Sequence, residues 1–85
     1  MKKNPVLQAA ILEVVDNQIR DGDPPESRET YERLIAEGFS DQEARRLIGT
    51  AVVTDIHRML TEKKEYEREK YIKLLRQLPR LPWEE

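Results

Sequence analysis

Histidine occurs once in the 85 residues, as His57, and cysteine does not occur. One imidazole can carry a proton, but a histidine pair or triad around a metal cannot be assembled within a single chain. Thiolate zinc sites, disulfides and cysteine nucleophiles are excluded with the cysteines. The neighbours of His57 one helical turn away are Val53 and Thr61, which lie off the main apolar stripe. It is read as an exposed or interface residue rather than a catalytic one.

Carboxylates recur at spacings of three or four in Glu26, Glu29 and Glu32 and again in Glu62, Glu65 and Glu69. Such spacing places acids on one helical face, where they could share a metal ion or a proton. Both sets are interleaved with cations, among them Arg28, Arg33, Lys63 and Arg68. That alternation is the pattern of a solvated face carrying local ion pairs. A third set, Lys63, Lys64, Arg68, Lys70, Lys73 and Arg76 with Tyr66 and Tyr71 among them, comes nearest to a nucleic-acid surface. Four glutamates, at 62, 65, 67 and 69, dilute it. The segment from Leu34 to Ile48 has the form of a helix-turn-helix with Arg45 and Arg46 as base-reading candidates, but the second helix opens with Asp41 and Glu43 facing where phosphates would lie. With 15 basic against 17 acidic residues and a formal net charge of -2, the chain argues against nucleic acid as a partner.

These side chains need helices to hold them. Asn4 and Pro5 form a helix start, because Asn accepts from orphan amides and Pro at the first position loses no intrahelical bond. A first helix is expected over 5–21, with Leu7, Ala10, Ile11, Val14, Val15 and Ile19 on a buried face that Leu12 widens, and Gly22 as its left-handed cap. Asp23 is the expected cap of a second helix over 25–37, with Glu26 as the capping-box acid. Its narrow stripe of Tyr31, Leu34 and Ile35 marks it as the least buried helix, and Gly38 ends it. Ser40 and Glu43 form a second capping box, with Phe39 placed to staple onto Ala44. The third helix, expected over 41–61, carries Ala44, Leu47, Ile48, Ala51, Val52, Ile56, Met59 and Leu60 at helical spacing. Gly49 inside it has the usual meaning of another helix backbone passing close by.

A fourth helix is expected over 67–77 on the pattern of Tyr71, Ile72, Leu74, Leu75 and Leu78. Neither Gly nor Pro separates Gly49 from Pro79, so one long helix through residue 77 is the alternative. Residues 78–85 read as an extended, Pro-stiffened tail that can lay Leu81 and Trp83 into a groove, with Tyr71 as its contact.

The fold class expected from these patterns is all-α: one domain of about four helices with an extended C-terminal tail. Its 38% of apolar residues make a thin core for a chain of this length, so burial against a partner is expected, either a homodimer or another protein. No apolar run is long enough to span a membrane and no leader-like segment follows Met1, which together with the missing cysteines gives a cytoplasmic expectation. Catalytic, cofactor and metal residues are left unassigned. Leu81, Trp83 and Tyr71 are the expected interaction residues.

A resemblance spans nearly the whole chain. Asn4-Pro5-x-Leu7, Asn17-Gln18, Pro24-Pro25, Arg28, Leu34, Gly38, the Ser40 to Ala44 capping box, Ile48-Gly49, Tyr71 and Leu78-Pro79-x-Leu81-Pro82 resemble a family of small bacterial helical proteins of unknown function. The resemblance implies a helical fold with an unassigned role. Many members of that family carry histidines at the places occupied here by Gln8, Leu12, Gln42 and Arg46, so a histidine-based metal role is not carried over to this chain. The competing expectation is a metal-dependent protein or small enzyme rebuilt from Gln8, Gln42, His57 and nearby acids across a dimer.

Overall fold

The structure is a computed structural model and describes residues 5–81. Four helices follow one another as α1 (Pro5–Asp21), α2 (Pro25–Ala36), α3 (Asp41–Glu62) and α4 (Arg68–Gln77), with no strand among the described residues. This is the all-α small bundle that the periodicities predict.

Local chemistry sets the boundaries. Gly22 and Gly38 end α1 and α2 with φ of 64° and 102°, values that a side chain resists. The Arg28 guanidinium then donates to the carbonyls of Ile19 and Arg20 at 2.9 and 2.6 Å, placing a cation on the negative end of α1. Asp23 does not cap α2 as expected. The cap position is Pro24, and no side chain bonds to the first amides. The α3 capping box is complete, with Ser40 Oγ accepting from the Glu43 amide and Glu43 Oε1 accepting from the Ser40 amide, each at 3.1 Å. Phe39 packs against the buried cluster that contains Ala44. Lys63, with φ of 54°, stops α3 in a left-handed cap, so residues 41–77 are two helices rather than one.

The tail differs from its expected extended form over its first residues. Leu78 and Arg80 turn back to donate to the carbonyls of Leu75 and Gln77, and this turn buries Leu78 in the core. Arg33 reaches the same end of α4 and donates to the Leu75 carbonyl at 3.2 Å.

The core joins all four helices: Val15, Leu34, Ala44, Ile48, Ala51, Val52, Tyr71, Leu75 and Leu78. The expected ranking of burial is reversed between α1 and α2. α2 packs against α1, α3 and α4, and its small Ser27 and Thr30 are buried along with Leu34. α1 packs against α2 and α3, and Val15 is its one fully buried residue. Leu7 and Val14, expected in the core, are 57% and 40% exposed. The α1–α3 crossing is centred on Gly49, where a Cβ would lie 3.3 Å from Ile11 Cγ2 and 3.8 Å from Val15 Cγ2. A neighbouring helix does approach this glycine, but through the side chains of Ile11 and Val15 rather than through its backbone.

Candidate functional site

α1 packs on α3 at Gly49, with different neighbours on either side of it. One flank faces the start of α3, where Asp16 pairs with Arg45. The opposite flank faces the second half of α3, where Gln18 lines a cleft of about 170 Å³ with Val52, Asp55, Ile56, Met59, Tyr66 and Tyr71. Small-molecule sites are usually about 300–1,000 Å³, so this cleft is too small to enclose a drug-sized ligand.

Three of its polar groups satisfy one another, whereas the buried Nε and Nη1 of nearby Arg58 have no hydrogen-bond partner among the described residues. Gln18 Oε1 accepts from Ser27 Oγ at 2.6 Å and from the Tyr71 hydroxyl at 2.7 Å, which ties α1, α2 and α4 together at one atom. Burial pushes the Tyr71 phenol up to about 12, well above its ordinary range. Ser27 is fully buried, so removing the shared acceptor would strand its hydroxyl at a cost of about 1–3 kcal/mol. Asp55 is 3% exposed and accepts from Arg58 at 2.6 Å, and the guanidinium is 3.9 Å from Glu67. The hydrogen bond to Asp55 holds the Arg58 pKa above its ordinary value. Gln18 and Asp55 were not singled out from the sequence. The available signal was polarity inside an apolar register: Gln18 stands four residues after Val14, and Asp55 stands three after Val52 and four before Met59.

Tyr71 lies in the core of its own chain, and Leu81 is half-buried against the same core. Trp83 lies outside the described residues. The structure brings Tyr71 to Gln18, not to an exposed groove. His57 is exposed on α3. Gln8, Gln42 and Arg46 are exposed and Leu12 is half-buried. Among the described residues no group of three or more histidines, cysteines or acids is placed to hold a metal ion.

Part of the two charge patterns forms ion pairs. Glu26 lies 3.5 Å from Arg68, Lys70 3.6 Å from Glu67 and Lys64 3.6 Å from Glu62. Arg45, a candidate base reader, is held by Asp41 at 2.8 Å and by Asp16, and its guanidinium lies 5.1 Å over the Tyr31 ring. Tyr31 in turn donates to Asp41 at 2.6 Å, and this bond, with Arg45 beside it, keeps the Asp41 carboxyl below its ordinary range.

What the described surface does present is apolar. Val53, Ile56 and Leu60 are 47%, 39% and 75% exposed. They continue the strip of α3 that begins at Gly49, at steps of four, three and four residues. α1 covers Gly49 and leaves the rest open. On α1 the flank above this strip runs Leu7, Ile11, Val14, Gln18, again at four, three and four. The result is a step, with α1 as its wall and the second half of α3 as its floor, about 16 Å along each helix. Among the described residues no helix is long and apolar enough to cross a membrane.

No protein family, curated protein or solved structure matches the chain.

Proposed function

We propose that the protein is a non-enzymatic helical interaction module that works through the α1–α3 step. The observation that supports this is the exposure of Val14, Val53, Ile56 and Leu60 on two strips with heptad-like spacing, beside a cleft where Gln18, Ser27 and Tyr71 already satisfy one another. Apolar side chains scattered over a surface need no explanation, whereas a continuous seam does. A 4-3-4 strip is the register into which another helix fits its side chains. The lack of cysteine suits a cytoplasmic setting for such a module.

The double variant Val53→Glu/Leu60→Glu tests the reading. If the step serves binding, a dilute solution of the variant keeps a Tm within a few degrees of the parent, since substitutions at exposed sites usually change stability by about 0.5 kcal/mol or less. The variant also loses the fluorescence enhancement of an apolar dye such as anilinonaphthalene sulfonate that the parent gives. A large fall in Tm would assign these side chains to the fold, and a parent that neither takes up the dye nor associates would overturn the reading.

A further inference from the structure

We infer that the cleft lined by Gln18, Asp55, Met59 and Tyr66 is an anchor site for an indole, the side chain of a partner protein's tryptophan, with Asp55 Oδ2 accepting a hydrogen bond from the ring N–H. The inference rests on the proposed interaction role for the source of the indole, since Ile56 belongs both to the cleft and to the exposed strip of α3.

Size supplies the first argument. The cleft holds about 170 Å³. A cavity of about 150 Å³ takes one benzene ring, so a single aromatic side chain fills this one and a drug-sized ligand does not. Val52, Ile56 and Met59 give it an aliphatic and thioether wall, and a thioether packs favourably on a ring. Tyr66 is 52% exposed and lies tilted against Tyr71, with ring centroids 6.4 Å apart and planes at 56°. Half of its surface is thus open to a second aromatic group, and aromatic pairs gain beyond the area they bury.

Polarity supplies the second. The Asp55 side chain is 5% exposed and lines the cleft, and its Oδ1 is taken by Arg58. Its Oδ2 accepts no hydrogen bond among the described residues. Because Arg58 already balances the charge, and holds two further buried nitrogens without an acceptor, the cleft offers a lone pair rather than a spare negative charge. An ammonium group would meet that guanidinium. A neutral donor does not, and the indole N–H donates only, whereas phenylalanine has nothing to donate. Tryptophan is also the side chain most often found as the buried anchor of an interface.

Nuclear magnetic resonance on protein labelled at the methionine methyl groups places a reporter in the cleft at Met59. Free indole is expected to shift the Met59 methyl signal saturably. 1-Methylindole, which keeps the ring and lacks the donor, should bind about tenfold more weakly, a change of about 1.4 kcal/mol that leaves the Asp55–Arg58 pair intact. Tyr66→Ala should weaken indole by a similar factor while its Tm stays within a few degrees of the parent, as befits an exposed position. Trp83→Phe, measured in parallel, removes the chain's own indole as a competitor. No shift at Met59 in either the parent or Trp83→Phe would overturn the inference. Equal binding of indole and 1-methylindole, or tighter binding of p-cresol, would overturn the role of Asp55 and the choice of indole. A synthetic amphipathic helix carrying one tryptophan among leucines at steps of four and three is expected to bind more tightly than free indole, and to lose that advantage in Val53→Glu/Leu60→Glu. Equal affinity of the peptide and free indole would overturn the partner helix as the source. The interaction reading falls separately, by the apolar-dye result, and survives a failure of indole to bind if the parent still takes up the dye.

Discussion

The Ile11 side chain lies against the backbone of Gly49, so close that a Cβ at that position would meet its Cγ2 at 3.3 Å. This contact sets how near α1 sits to α3, and with it the depth of the step between them. Alanine at 49 gains helix propensity of roughly 0.8–1 kcal/mol, and Ile11, being half-buried, can yield a few tenths of an ångström. Gly49→Ala is expected to leave stability within about 1 kcal/mol of the parent. Gly49→Leu must separate the helices and should cost at least about 2 kcal/mol, in the range of overpacked cores. Urea titrations of both variants check the pair, and equal stabilities would mean that the crossing is not set here.

Buried Asp55 and half-buried Arg58 form a pair that holds no helix other than α3 by hydrogen bonds of its own. Removing one partner of such a pair strands the other, whereas replacing both with apolar groups of similar size is often neutral. The expected order of Tm is therefore parent and Asp55→Leu/Arg58→Met close together, with Asp55→Ala well below both. A double variant as unstable as the single one would show that the pair contributes directly to stability.

Tyr71 links stability to alkaline pH. Its folded pKa of about 12 lies above the ordinary phenol value of 10.0, so the unfolded chain loses this proton first as pH rises. The group's contribution is fully present below pH 10 and is lost progressively as pH climbs toward 12. The loss is on the order of 2 kcal/mol. Tyr31 and Tyr66 are raised as well, so the difference between the parent and Tyr71→Phe isolates the Tyr71 part. Denaturation at pH 9 and again near 11.5 should show the gap between them narrowing or reversing at the higher pH. An unchanged gap would contradict the buried phenol.

Helix identities and most of their ends are decided by local chemistry, and these were legible in the residues. Ser40 and Glu43 close their capping box within four residues, and Gly22 and Gly38 accept backbone angles that other residues resist. The burial of Ala44, Ile48 and Leu75 follows from helical spacing alone. Gly49 announced a close approach without saying which helix would make it. What spacing could not decide is which of two apolar flanks finds a neighbour. Leu7 and Val14 carry the same pattern as Val15 and Ile19, and only the packing of α1 against α2 and α3 leaves the first pair exposed and covers the second. The same packing turns Gln18 toward Ser27 and Tyr71, partners 9 and 53 residues away that no local rule connects. Sequence by itself determined the helical pattern, the glycine stops and the α3 capping box, but not the α2 cap at Pro24 or the break at Lys63. Tertiary structure decided the buried polar junction and the uncovered step, because both arise from the angle between helices, which depends on the packing of side chains distant along the chain.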